Sequence, residues 1–290
     1  MIVTRVVGGL GSQMFQYAAG RRLAGKLGTN LKLDLSWFSG RRDRHYALGA
    51  FNIRATPCSR ADIASVTGAR PTRRDRLLRG LGIRPAPPVL ALCEEERPYH
   101  FDRAFLKQRD NVYLSGAWQS ERYFEDIPDL LRTELSVHGP AKGRNRELLQ
   151  QIVHCESVAV HVRRGDDDAD PAASARRATC EPDYYHRAIA QLVQAVHRPH
   201  FFVFSDDPAW VRANLAFEQP ATMVDHNGPT RDHEDMRLMR GCKHSIIANS
   251  AFGWWGAWLN RNPAKIVIAP KRWLRDEPTP DLVPHGWITT

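Results

Sequence analysis

The residues best equipped for chemistry in this 290-residue chain lie in the stretch 157–166, Ser-Val-Ala-Val-His-Val-Arg-Arg-Gly-Asp. It begins as the valine-rich run of a buried strand and ends in two arginines, a glycine and an aspartate. Period-two alternation places Ala159, His161 and Arg163 on one face and Val158, Val160, Val162 and Arg164 on the other. A guanidinium can set two parallel hydrogen bonds on phosphate oxygens and neutralise their charge. A paired-arginine strand exit is therefore a candidate seat for a phosphate-bearing ligand. The plainer alternative is a pair of solvated arginines beside a salt-bridged aspartate.

Three other apolar runs end in polar residues. Ser205, Asp206 and Asp207 follow 200–204, with Pro208 suited to the first turn of a helix. Asp225, His226 and Asn227 close the run at 221–225. Asn249, Ser250 and Ala251 follow 244–248 and open a helix, where free N–H groups and the helix dipole favour an anion. Asp206 could accept from the paired N–H donors of a guanine edge, or cap the helix after Pro208. Trp254, Trp255 and Trp258 in that last helix read as packing between sheet and helix in preference to a sugar platform.

The elements that would position these groups alternate regularly. Strands are expected at 157–163, 200–204, 221–225, 244–248 and 265–268, with helices at 182–197, 208–215, 232–242 and 251–260. That alternation gives a parallel sheet, and ligands of such sheets bind at the carboxyl ends of the strands. Four polar ends on one edge carry more weight than any single motif.

The first half starts as a strand over 1–7, a glycine loop from Gly8 to Gln13, a helix burying Met14, Tyr17, Ala18 and Leu23, and a strand over 29–35. The loop is no dinucleotide fingerprint, because Met14 stands where a third glycine is required, but it would let a backbone approach a ligand. Residues 40–110 carry little pattern, and Pro85, Pro87 and Pro88 break any long helix. A strand at 112–115 and a helix over 122–135 follow. Gly139-Pro140, with Lys142, Gly143 and Arg144, marks a boundary, giving domains 1–139 and 140–290, the second entered by a helix over 146–154.

Composition is that of a soluble globular protein, 42% hydrophobic and 25% charged. The net charge of +9 points to phosphorylated or polyanionic partners or an anionic membrane surface. Its densest segment, Arg70 to Arg84, interleaves Leu77, Leu78 and Leu81. A solvated helical face is favoured there over a basic helix lying on a membrane. Nucleic-acid binding lacks a helix-turn-helix, RRM or zinc signature, and a lectin-like module would have little use for His161, Arg163 and Asp206. Five cysteines without C-x-x-C indicate neither a disulfide framework nor a zinc site, and fit a reducing compartment. With no signal-peptide or membrane-span pattern, the expectation is a cytoplasmic protein, free or peripheral on the inner membrane face. The run Asp166–Asp170 reads as an acidic loop in preference to a metal site, since the arginines beside it compete for the carboxylates. His233-Glu-Asp235 and Cys242-Lys-His244 lack fixed metal spacing and read as structural.

Four blocks in order then become recognisable: Gly8-Gly-Leu-Gly-Ser-Gln-Met-Phe-Gln-Tyr-Ala18, His161-Val-Arg-Arg-Gly-Asp166, Phe204-Ser-Asp-Asp207 and Ile247-Ala-Asn-Ser-Ala-Phe-Gly-Trp-Trp-Gly-Ala-Trp-Leu259. Together with Trp287-Ile288 they resemble the α-1,2-fucosyltransferases of glycosyltransferase family 11. The resemblance implies a GT-B fold, two Rossmann-like domains facing across a cleft, the first on the acceptor side and the second holding the donor. It implies inverting, metal-independent transfer of fucose from GDP-β-L-fucose to the 2-hydroxyl of a terminal β-galactoside on a glycan, free or lipid-linked. Transfer in another linkage, such as α-1,6 to N-acetylglucosamine, or of another GDP-sugar, is the alternative.

The resemblance further implies Arg163 on the β-phosphate with His161 beside it, Asp206 on guanine, and the Asn249–Ala251 turn on phosphate or ribose. Arg164, Ser205 and Asp225 complete the expected donor site from the second half. Gly9, Gly11, Ser12 and Gln13 are expected to contribute from the glycine loop. Asp166 is a third catalytic candidate, or a clamp on the arginines. Ser12 stands where the family usually has asparagine, and Ala251 and Gly253 where it often has serine.

Overall fold

The computed structural model describes residues 1–41, 43–67, 92–165, 176 and 178–290. The first half contributes β1 (Ile2–Arg5), α1 (Leu10–Lys26), β2 (Leu31–Asp34), β3 (Thr56–Pro57), α2 (Arg60–Thr67), β4 (Leu92–Glu94) and β5 (Val112–Ser115). These strands form a sheet in the order β3-β2-β1-β5-β4. Two helices, α3 (Pro128–Glu134) and α4 (Gly143–His154), lead into the second half. There follow β6 (Glu156–Val162), α5 (Pro182–Ala195), β7 (Pro199–Ser205), α6 (Pro208–Asn214) and β8 (Ala221–Val224). The chain ends with α7 (Asp232–Gly241), β9 (His244–Ile246), α8 (Ala251–Trp258), β10 (Val267–Ala269) and β11 (Ile288–Thr289). The second sheet runs β11-β10-β9-β6-β7-β8. All strand pairs in both sheets are parallel. Two parallel sheets, each carrying helices, are the GT-B arrangement.

Strand β6 lies inside its sheet, with Val160 paired to Val203 of β7 and to Ile246 of β9. Both of its faces are therefore covered, and the alternation assigns each residue a side. Val158, Val160 and Val162 pack with Tyr185, Leu192 and Phe201. Ala159 packs with Phe202, Phe204, Leu238 and Met239. A strand buried on both faces has to be apolar throughout its middle, and chemistry is left to its end.

The helix expected over 122–135 is instead a 3-10 turn at Glu121–Tyr123 followed by a helix that begins at Pro128. Proline suits the first helical position, and it disfavours helical geometry in the residue before it. Ile127 accordingly sits at φ −129° and ψ 35°, outside the helix. The arginine-rich stretch 70–84, the prolines at 85, 87 and 88, and the acidic run from Asp166 to Asp170 lie outside the described residues. Among the described residues no helix is long and apolar enough to cross a membrane.

The two halves share one apolar core. Trp254, Trp255 and Trp258 are buried, as their size and apolarity predict, but their partners come largely from the other half. The Phe15 ring of α1 lies 4.6 Å from Trp254 and 5.0 Å from Trp255, centroid to centroid, and Phe124 stacks on Trp255 at 5.4 Å. Trp254 donates to the Leu282 carbonyl (2.8 Å) and Trp258 to the Glu121 carboxylate (3.0 Å). A second junction is cationic. Arg240 of α7 donates to the carbonyls of Leu135 (2.9 Å) and Arg132 (3.1 Å). Arg237 donates to those of Gly139 (2.8 Å) and His138 (3.2 Å). Positive charge on the last carbonyls of α3 is favourable, because those groups have no partner within the helix. Burial, with Arg261, Arg237 and Arg132 nearby, lowers Arg240 to about 10.

Candidate active site

The chain leaves β6 at Arg163 and turns sharply, and Asp206 at the end of neighbouring β7 explains how. One Asp206 oxygen accepts the Arg164 N–H (2.9 Å) and the other accepts the Gly165 N–H (2.8 Å). A side chain on residue 165 would not fit this clasp, since a Cβ there would lie 2.9 Å from the carboxylate. The Arg163 Nε stands 3.4 Å from the same carboxylate and donates to the Gly165 carbonyl at 3.1 Å. Arg163 is thus held against the loop it precedes.

Arg164 points the other way, as alternation requires. Its guanidinium lies 4.1 Å over the Trp210 ring of α6 and donates to the Cys180 carbonyl (3.0 Å). Of the two arginines, Arg163 stays with the clasped loop while Arg164 anchors that loop to the helices. Helix α6 is capped by Asp207, which accepts from Trp210 N–H at 2.9 Å, and not by Asp206. With Pro208 at the first helical position, the residue before it is the cap. Asp206 is left free to build the clasp, and any capacity for a guanine edge resides in its remaining lone pairs.

His161, two residues before the loop, is buried, with Nδ1 lacking a hydrogen-bond partner among the described residues. Burial, reinforced by the charge of Arg163, pushes its pKa down to about 3. At neutral pH the imidazole is uncharged, so it can orient a ligand by a hydrogen bond but cannot share Arg163's positive charge.

On the other side of β6, Ala248 N–H donates to the His161 carbonyl (3.1 Å), which brings the start of α8 alongside. Ser250 is its N-cap, accepting from Phe252 N–H at 3.3 Å. The first-turn N–H groups of α8 have no partner within the helix itself, and of these residues Gly253 is buried. Asn249 is occupied structurally, donating to the carbonyls of Ala178 and Trp273 and accepting from the Cys180 thiol.

The glycine loop is built mainly for packing. Gly11 lies against the first turn of α8, where a Cβ would approach the Ala251 carbonyl carbon and the Phe252 nitrogen to 2.4 Å. Gln13 is wholly buried; its amide donates to the carbonyls of Gly8 and His45 and accepts from Ala47 N–H, all at 2.9 Å. Gly9 is the N-cap of α1, without a side-chain partner. Ser12 opens onto a cavity of about 250 Å³ with Arg5, Gln16 and Ser115. Ser205 accepts from Asp207 N–H at 3.0 Å. Asp225 pairs with Arg212 at 2.5 Å on the surface beyond edge strand β8. Asp166 lies outside the described residues.

The structure therefore gathers Arg163, Gly165, Asp206, His161 and the start of α8 at one sheet edge, and ties Gly11 to that edge from the other half. Two features went unread in the sequence. One is a polar cluster in which Asn227 bridges Asn145 and Asp235, the latter raised to about 7 by burial and by Asp232 and Glu234. The other is Glu95, whose carboxylate accepts from Ala117 N–H (2.7 Å) and Trp118 N–H (3.2 Å). A glycine in the turn that leaves a strand, Gly116 like Gly165, was the available signal for the second. Among the described residues no three His, Cys, Asp or Glu side chains converge as a metal site.

Two parallel-sheet halves, with a clasped arginine and a helix N-terminus at the edge of the second sheet, are those of a GT-B glycosyltransferase. The sequence matches the model of glycosyl transferase family 11 over residues 98–289, and the chain belongs to that family. It is 32% identical to the alpha-1,2-colitosyltransferase of Escherichia coli, over 99% of this chain and 98% of that one. It is 31% identical to the O-antigen biosynthesis glycosyltransferase WbnK of the same organism, over 97% of each. The crystal structure of NodZ alpha-1,6-fucosyltransferase soaked with GDP-fucose shares the fold, with a TM-score of 0.50, 16% identity and coverage of 89% of this chain and 91% of that one.

Proposed function

We propose that this enzyme transfers L-fucose from GDP-β-L-fucose to the 2-hydroxyl of a terminal β-galactoside, with inversion and without a metal ion. The observation that carries the reading is the clasped strand exit, in which Asp206 fixes the loop against which Arg163 lies. Cleavage of the sugar–phosphate bond develops negative charge on the departing diphosphate. In this reading Arg163 meets it with charge and the first turn of α8 with its dipole. A preorganised donor of this kind lowers a barrier by about 3–4 kcal/mol. Neutral His161 orients the phosphate and does not add charge. Arg164, Ser205, Asn249 and Ser250 hold these groups in place through the bonds described above, and Gly9, Gly11 and Gln13 fix the facing half.

A second reading, transfer of colitose in place of fucose, is favoured by the 32% identity to the colitosyltransferase over nearly the whole of both chains. One assay separates them. Purified protein is incubated, with and without EDTA, with a panel of galactosides or an N-acetylglucosamine acceptor and either GDP-fucose or GDP-colitose; free GDP and product linkage are then measured. The expected result is GDP release from GDP-fucose matched by an α-1,2-linked product. Turnover confined to GDP-colitose, an α-1,6 product, or activity abolished by EDTA would each overturn the corresponding part.

A further inference from the structure

The clasp at Asp206 has a counterpart in the first half. Glu95, directly after β4, accepts the N–H groups of Ala117 and Trp118, which follow adjacent β5. Asp206, at the end of β7, does the same for the exit of adjacent β6. Each clasped turn contains a glycine whose missing Cβ leaves room for the carboxylate's own chain: a Cβ on Gly116 would lie 2.6 Å from that of Glu95. Burial raises the Glu95 pKa, and its two N–H donors oppose the rise.

The turn that Glu95 holds, Ser115-Gly116-Ala117, walls the cavity that opens on Arg5, Ser12 and Gln16. Its volume of about 250 Å³ is enough for a single pyranose ring. Its lining matches such a ring: hydroxyls, an amide and a guanidinium for the rim, Val7 and Ala117 for a C–H face. Gln16 already accepts Val7 N–H through Oε1 (2.9 Å), which orients its NH₂ group. The cavity lies at the carboxyl edge of the first sheet, and Gly11 of the same α1 touches the start of α8 at the donor edge. The two edges thus face one another across that contact.

We propose that this cavity binds the acceptor galactose, with Arg5 and Ser12 on its hydroxyls, and that Glu95 is the positioning residue that sets its shape. The inference rests on the galactoside reading above for the acceptor, and is independent of which sugar is transferred. Glu95→Gln keeps the size of the side chain but offers one oxygen and one NH₂ group to two N–H donors, so half of the clasp becomes repulsive. The expected result is an acceptor KM raised about tenfold or more with the donor KM little changed. Asp206→Asn should do the reverse, raising the donor KM and sparing the acceptor. Should Glu95→Gln fail to fold, Arg5→Ala, which alters the cavity and leaves the clasp intact, is expected to give the same acceptor-only effect. Saturation-transfer NMR of methyl β-galactoside with the donor-free protein reads the cavity without turnover. Signal present in the wild type and lost in Arg5→Ala supports the assignment; no wild-type signal, or signal retained in the variant, overturns it. An acceptor KM left unchanged by Glu95→Gln and Arg5→Ala overturns it as well. A protein that transfers a sugar other than fucose fails the donor reading alone and leaves these tests standing.

Discussion

Gly11→Ala is the sharpest perturbation of the junction between the halves. The added Cβ would sit 2.4 Å from the Ala251 carbonyl carbon and the Phe252 nitrogen, where ordinary contact begins at 3.4 Å. Relief therefore needs a displacement of about 1 Å. Both partners are backbone, and α1 and α8 are pinned together by Phe15, Trp254 and Trp255, so no side chain can rotate aside. Overpacking of this kind costs about 1–3 kcal/mol, which for a chain of this length lowers Tm by roughly 2 °C per kcal/mol. The moving group is the helix N-terminus proposed to face the phosphate, and a misplacement of ~1 Å in a reacting site can cost about 100-fold in rate. Thermal melting and steady-state turnover are measured beside Gly228→Ala, where nothing lies within 4 Å of the added carbon. The expectation is a lower Tm and a large loss of kcat for Gly11→Ala only. An unchanged Tm together with unchanged turnover would show that the junction yields freely, and would refute the argument.

Arg163→Ala should lower kcat by about 10²–10³-fold in a protein of normal Tm, and Arg163→Lys should rescue little, because one ammonium cannot reproduce the fork; near-normal kinetics in either variant would remove Arg163 from the mechanism. His161 is held near 3 in the folded protein against its ordinary 6.5, so the unfolded chain binds the extra proton between those values. Stability should be complete above about pH 6.5 and fall by roughly 3 kcal/mol by pH 4, and urea titrations of His161→Gln should show a shallower acid slope. Asp235 works in the opposite sense, since its folded value near 7 exceeds the ordinary 3.8. The folded state then loses stability as pH rises from 4 through 7, so Asp235→Asn should stabilise the protein at pH 8 and do little at pH 4, as read by Tm.

Much of the second half was legible because its signals are local. The alternation in 158–164 assigns Arg163 and Arg164 to opposite sides, and Asp206 and Trp210 occupy those sides. Pro208 marks the helix start, but the cap is Asp207 and not the Asp206 that the sequence offered for it, which releases Asp206 for the loop. What stayed hidden were meetings between distant segments. Gly11 looks like ligand-loop chemistry in sequence, yet its space is taken by Ala251, 240 positions later, and no periodicity reports that. Gln13 looked available for the same reason, before the 45–47 segment consumed its amide. Glu95 sits among three consecutive glutamates, and only the fold selects which one reaches the next strand's exit.

The four hydrogen bonds from Arg237 and Arg240 to the chain between the halves, together with the tryptophans shared across the junction, restrict how this enzyme can be re-engineered or can diversify. In a bilobal protein with a slim linker, each lobe is a module that can be exchanged to pair one donor with a new acceptor. In this chain the second half donates to the linker backbone and the first half supplies ring partners to α8, so a graft cut at the boundary would expose Phe15 and Phe124 on one side and Trp254 and Trp255 on the other. Point changes within either half leave those shared contacts standing, whereas an exchange of halves severs all of them at once.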